Sequence, residues 1–171
     1  MNTLFSGQSL VWSAVAAACA FFVAALRINH GLVGSSLAAG PGLTLDESFN
    51  IQQGVYLVEA LRQHGPLIMT PAIARDVFSE PRYLPDHPPL GRLLLGLAHE
   101  NTSWLISGAE LSRWNVPAAR LGACGALGLL VFLLSEFARH RFGLSTAMLS
   151  SLFLILMPQF TGHARLATLE M

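Results

Sequence analysis

The stretch Leu121-Gly122-Ala123-Cys124-Gly125-Ala126-Leu127-Gly128-Leu129-Leu130-Val131-Phe132-Leu133-Leu134-Ser135 decides the fold. It holds no charge, and with Pro117–Arg120 and Glu136–Ala138 it grows to about 20 residues, the helix length that crosses a hydrocarbon core of about 30 Å. Two more runs resemble it. Met1 to Leu26 is uncharged, with a core from Ser9 to Leu26 that is almost wholly apolar. Leu144 to Phe160 is uncharged again; it is short, and gains reach from bilayer thinning or flanking residues. The composition agrees: 53% hydrophobic, 12% charged, and a mean hydropathy of +0.52, where soluble domains carry about 25% charge. Such a chain is not disordered. Ten basic residues, all Arg, balance ten acids without forming a basic tract, so nucleic acid is not expected as a partner. Cys19 and Cys124 lie in apolar runs and suggest neither a disulfide framework nor a zinc site. The expected fold is therefore an all-α integral membrane protein, one unit over 1–171, with about three transmembrane helices near 9–28, 117–138 and 144–160. The first run also fits a cleaved signal peptide, but its start lacks positive charge and its apolar run is long for one.

Orientation follows from the connection Arg139-His140-Arg141-Phe142-Gly143. Two arginines in a tight turn predict a cytoplasmic loop. The long segment of about 29–115 then faces outward, as does the tail after Pro158. His30 to Leu43, rich in Gly, Ser and Ala, reads as a flexible exit from the first span. Thr44 and Glu47 are spaced as a capping box. Ile51, Val55 and Val58 recur on one helical face and Gln52, Tyr56, Glu59 and Gln63 on another, predicting an amphipathic juxtamembrane helix. Gly65-Pro66 and Pro71 end it. Thr70 to Asp86, with three prolines, reads as irregular. Pro88-Pro89 opens a second amphipathic helix with Leu90, Leu93, Leu94 and Leu97 on its apolar face. Trp104 and Trp114 suit an interfacial belt.

The chemistry-bearing residues cluster in the outer loop and the tail. Asp46-Glu47 suits a helix N-terminus, where acids are favoured, and equally a general base beside the membrane. Asp86-His87-Pro88-Pro89 is either a plain turn or a rigid presentation of Asp86 and His87, since prolines hold the preceding residue extended. Metal-site spacing is absent around it. Arg120, at membrane depth among apolar residues, either snorkels or serves a site. Gly162 to Met171 adds Arg165 and Glu170 on the same outer side; arginine suits phosphate oxygens.

These motifs, in this order, resemble the GT-C glycosyltransferases, especially family 39, which includes protein O-mannosyltransferases and lipid A aminoarabinose transferases. The matching residues are Asp46-Glu47 after the first span, His87-Pro88-Pro89-Leu90-Gly91-Arg92-Leu93-Leu94 in the outer loop, Pro117-Ala118-Ala119-Arg120-Leu121 at the second span, and Met157-Pro158 through His163-Ala164-Arg165 to Glu170. The likeness runs from about Ser9 to Met171. The chain departs from the family at Glu170, where many relatives have Asp, and in having three spans where the family has many more. The resemblance therefore implies the N-terminal part of a GT-C bundle, a fragment inactive by itself. It implies a polyprenyl-phosphate sugar donor, transfer to a hydroxyl or amine of a protein, lipid or glycan acceptor, and inversion at the anomeric carbon. Asp46 would be the general base and Glu47 would tune it or orient the acceptor. His87 would position substrate, Arg165 and Arg120 would stabilise the lipid-phosphate leaving group, and Glu170 would stand at a substrate-binding position. No nucleotide cofactor is expected. Some relatives use a divalent metal and others do not, which leaves the metal open. The implied location is a bacterial inner membrane with the site facing the periplasm. The endoplasmic reticulum is the second reading, where Asn101-Thr102-Ser103 would be a glycosylation sequon. The alternative function is a non-enzymatic three-span protein, a remnant or an assembly subunit.

Overall fold

The computed structural model describes residues 7–29, 45–106, 110, 111 and 113–167. Its elements are helices α1 (Gly7–Ala25), α2 (Leu45–His64), a 3-10 turn (Gly65–Met69), α3 (Pro71–Ser79) and α4 (Pro89–Thr102), then strands β1 (Glu110–Leu111) and β2 (Trp114–Asn115), then α5 (Val116–Phe142), α6 (Leu144–Leu156) and α7 (Pro158–His163). The helical architecture agrees with the sequence; the strand pairing among the described residues is an antiparallel ribbon joining Glu110 with Asn115 and Leu111 with Trp114. One helix, α5, is long and apolar enough to cross a membrane, while Leu10–Ala25 and Leu144–Leu156 are apolar but shorter. The chain forms two compact units. The flexible exit expected over 30–43 lies outside the described residues.

The first unit holds α1, α6, α7 and α5 from Cys124 onward. Small residues make up much of its interior. Ser13, Ala16, Ala20 and Ala24 of α1 are buried, as are Ser135, Ala138, Ala147 and Ser151 on α5 and α6. A Cβ at Gly128 would lie 3.2 Å from the Ala17 carbonyl oxygen, so α1 and α5 run nearly backbone to backbone there. Leu127, Val131 and Leu154 are buried with the small residues, while many large side chains point outward: Val11, Phe22, Leu133, Phe137, Leu149 and Phe153 are all exposed. One polar knot ties the helices. The Ser13 hydroxyl donates to Glu136 at 2.5 Å and stands 3.1 Å from the Ser135 hydroxyl, while Arg139 donates to the other Glu136 oxygen at 2.8 Å.

Two expectations change here. The turn expected over Arg139–Gly143 shrinks to Gly143, because α5 continues through Phe142. Gly143 has φ +93°, a region that side-chain-bearing residues avoid, and so breaks the helix in one residue. The third run, expected as one helix over 144–160, is interrupted at Met157, which adopts an extended ψ of 117°. Met157 precedes Pro158, whose ring disfavours helical backbone before it.

The second unit holds α2, α3, α4, the ribbon, α5 up to Ala123, and the chain from Leu166. It has the opposite polarity: Ile51, Val55, Leu57, Val58 and Leu95 are buried, and Asp46, Gln52, Glu59 and Gln63 are exposed. α2 thus has the faces its periodicity predicts, except at Tyr56, which is half-buried and packs against the cluster of Leu57, Val77 and Tyr83. α4 does not. It begins at Pro89 as expected, with proline at its first position, but Leu90 is exposed and the buried stripe is Arg92, Leu95, Gly96 and His99. The cause is a glycine crossing. A Cβ at Gly54 would lie 2.1 Å from the Arg92 carbonyl oxygen, and one at Gly96 would lie 2.2 Å from the Gly54 carbonyl carbon. The two backbones touch, so the glycine face of α4 turns inward. The segment read as irregular, 70–86, contains α3. Pro71 sits at its first position, where the missing N–H costs nothing, and Ile73, Val77 and Phe78 pack on Leu57, Ala60 and Tyr83.

Candidate functional site

The start of α5 is set by Asn115. Its Oδ1 accepts the Ala118 N–H at 3.2 Å, an N-cap bond, while its Nδ2 donates to the Ile106 carbonyl at 2.6 Å. This fixes where Arg120 falls, one turn into the helix. Arg120 is 1% exposed and Glu47, from the first turn of α2, is 0% exposed. They form a two-pronged ion pair: Nε to Oε1 at 2.8 Å and Nη2 to Oε2 at 2.8 Å. Nη1 donates to the Asn29 carbonyl at 2.8 Å, and the Ala167 N–H donates to Glu47 Oε1 at 2.8 Å. One carboxylate therefore gathers residues from α2, α5 and the tail. Planar Arg–carboxylate pairing is the strongest form such a contact takes. Thr44, the other half of the expected capping box, lies outside the described residues.

Asp46 is exposed, unlike its neighbour. It lies four residues before Asn50, on the same helix face. Asn50 Oδ1 accepts from Arg92 Nε at 3.4 Å, and Arg92 Nη2 donates to Asp86 at 2.6 Å. Arg92 Nη1 donates to the Leu84 carbonyl. The guanidinium is 0% exposed and lies 5.2 Å from the Phe49 ring centre and 5.6 Å from that of Tyr83. Beside Asp86 stands His87, its Nε2 at 3.9 Å from the Asp86 carboxylate and its ring partly exposed. Arg92 thus links the Asp46 face of α2 to the Asp86-His87 turn. Partial desolvation works to raise the Asp86 pKa, but the Arg92 hydrogen bond, its own backbone N–H and the charges of Arg92 and His87 together hold it below the usual carboxylate range.

The sequence-predicted residues divide accordingly. Glu47 and Arg120 are in direct contact. His87 stands beside Asp86, which Arg92 binds, and Asp46 shares a helix face with Asn50, which Arg92 also binds. Arg165 belongs to the first unit, and its Nε is buried without a hydrogen-bond partner. Glu170 lies outside the described residues. Among the described residues no group of three or more His, Cys, Asp or Glu side chains is placed to hold a metal ion.

Arg92 is the residue that sequence reasoning missed. One signal for it was available: a cation in the first turn of a helix faces the positive end of the helix dipole and needs a compensating acid, which Asp86 supplies.

No protein-family model, curated protein or solved structure matches the chain.

Proposed function

We propose that the chain is part of a membrane glycosyltransferase of the GT-C kind, with Asp46 as general base and Glu47 as the residue that positions it. The observation that carries this reading is the division within the acidic pair. Glu47 is buried and bound by Arg120 and the Ala167 N–H, whereas Asp46 is exposed. A general base must reach the proton it removes, and its carboxylate must be held still; the rigid neighbour supplies the second condition and the exposed acid the first. Arg120, spent on Glu47 and Asn29, is assigned a positioning role in place of contact with the lipid phosphate. The phosphate assignment of Arg165 rests on the family resemblance alone. His87 is assigned to orienting substrate, with Arg92 and Asp86 holding its turn.

Membrane residence, on three spans, is supported by the first unit's inside-out packing. Membrane helices associate through small residues and local polar bonds, since lipid tails are as apolar as leucine. The buried serines and alanines and the outward Phe22, Leu133 and Phe153 match that pattern, and exposed apolar area on this scale is rare on a soluble monomer. The exposed Arg141 at the end of α5 supports a cytoplasmic turn there. The donor would then keep its lipid in the bilayer and offer its sugar at the outer surface.

The test is sugar transfer from labelled polyprenyl-phosphate sugars, using membranes that contain the native-length product. Asp46→Asn is expected to lower transfer by roughly 10²–10⁴-fold with membrane insertion unchanged. Undiminished transfer in that variant, or the absence of transfer from any such donor in the parent, would overturn the reading and favour a non-enzymatic membrane protein.

A further inference from the structure

Between α3 and α4 the chain Glu80-Pro81-Arg82-Tyr83-Leu84-Pro85-Asp86-His87-Pro88 forms neither helix nor strand. Its three prolines carry no N–H, which removes donors that a regular element needs. A backbone group shut away from water without a partner is costly, so each buried peptide group here must find one. The Tyr83 N–H reaches the Glu80 carbonyl at 2.9 Å. The next groups are met by side chains.

Gln53 of α2 meets two of them. It is 3% exposed. Its Nε2 donates to the Arg82 carbonyl at 2.7 Å, and its Oε1 accepts the Leu84 N–H at 2.8 Å. One amide thus pairs with the peptide groups on both sides of Tyr83, much as a neighbouring strand pairs through its backbone. Arg92 of α4 takes the Leu84 carbonyl and then the Asp86 carboxylate at 2.6 Å. Between these anchors the Tyr83 side chain is buried, its ring centre 5.9 Å from that of Tyr56 and 5.3 Å from that of Phe78. The segment from Arg82 to Asp86 is therefore tied to two helices. His87 comes next in the chain, with its ring partly exposed.

Helix packing alone does not call for an amide at position 53. Apolar bulk fills a buried position without the cost of desolvating a polar group. What the amide adds is a fixed place for the 82–84 backbone.

We infer that Gln53 is a positioning residue, which fixes the 82–84 backbone to α2 and, through it, the place from which His87 meets substrate. The inference rests on the glycosyl-transfer reading for the role of His87 and deepens it. Gln53 and Asp46 belong to one helix, so His87 and the assigned base are held against the same rigid element.

The experiment is NMR of the full chain in detergent, following backbone amides and histidine rings, for the parent, Gln53→Met and Gln53→Glu. Methionine fills the space without a hydrogen bond. Glutamate keeps the acceptor for Leu84 and loses the donor for Arg82. Gln53→Met is expected to speed solvent exchange of the Leu84 amide about tenfold, the loss of one hydrogen bond, and to shift or broaden the His87 ring signals. Those of His99, on the buried stripe of α4, should stay in place. Gln53→Glu should leave the Leu84 amide protected and disturb His87 less. In sugar transfer by membranes containing the native-length product, Gln53→Met should raise KM about tenfold with little change in kcat, the pattern of weakened substrate binding. Unchanged His87 signals in Gln53→Met, equal loss of Leu84 protection in both variants, or a His99 shift as large as that of His87 would overturn the inference. The amide and ring signals decide it whether or not the parent transfers sugar, so a failed transfer reading and a failed inference are told apart.

Discussion

Replacing Arg120 with Met tests whether the buried ion pair anchors the second unit. The substitution removes at least two donated bonds to Glu47 and one to the Asn29 carbonyl, each at 2.8 Å. It leaves a carboxylate that is 0% exposed, still holding the Ala167 N–H. A buried ion pair adds little net stability, because desolvation offsets most of the attraction, but removing one partner costs about 3–5 kcal/mol. For a chain of this size each kcal/mol moves the unfolding midpoint by roughly 2–4 °C, so the expected fall is roughly 6–20 °C. The double variant Glu47→Gln with Arg120→Met removes the stranded charge and should recover at least half of that loss, a coupling expected of residues in direct contact. Thermal unfolding of the detergent-solubilised parent, both single variants and the double variant closes the cycle. A single Arg120→Met variant within about 2 °C of the parent, or a double variant no more stable than the single, would refute the argument that the pair is locked and mutually dependent.

Two further predictions follow from particular contacts. Gly54→Ala and Gly96→Ala each drive a Cβ into facing backbone at 2.1 and 2.2 Å and should destabilise by at least the roughly 1–3 kcal/mol of an overpacked core. Gly125→Ala, where a Cβ meets nothing within 4 Å, should be neutral or stabilise by up to about 1 kcal/mol; thermal unfolding of all three separates a close crossing from generic helix propensity. Asp86, with its pKa lowered by Arg92, should contribute stability that is present above its ordinary pKa of about 4 and is lost as pH falls through the lower folded value. Comparing midpoints of the parent and Asp86→Asn between neutral and strongly acid pH should show the difference vanishing in acid; a difference that grows there would reverse the sign of the argument.

The elements that could be read from sequence were those governed by local rules. Uncharged apolar runs became α1, α5 and α6, and Ile51, Val55 and Val58 are buried as their spacing predicts. Misreadings arose where a nonlocal partner changed a local rule. Three prolines in 70–86 read as helix breakers, yet Pro71 stands at the one position of α3 where a proline is harmless. On α4 the leucines outnumber the glycines, and hydrophobic counting chose the wrong face. Gly96 turns inward because Gly54 stands opposite, and a periodicity taken along a single helix contains no term for its partner.

The same limit governs the site. Asp46 and Glu47 are adjacent and chemically alike, and nothing in their own segment says which is free. The choice is made by Arg120, which lies 73 residues away along the chain, together with the backbone at Ala167, 120 residues away. An acid in the first turn of a helix is favoured by the helix dipole whether it is exposed or buried, so the local argument treats the two alike. The distinction appears only when a cation arrives on the Glu47 side. The arginine at the head of α5, read from the sequence as a membrane-depth cation that snorkels or serves a site, is the residue that separates the buried acid from the exposed one. Its geometry in turn rests on Asn115, whose capping bond to Ala118 sets the helix start and hence the angle at which Arg120 leaves it. A substitution of Asn115 should therefore reach Asp46 indirectly, by loosening the Glu47 anchor beside it.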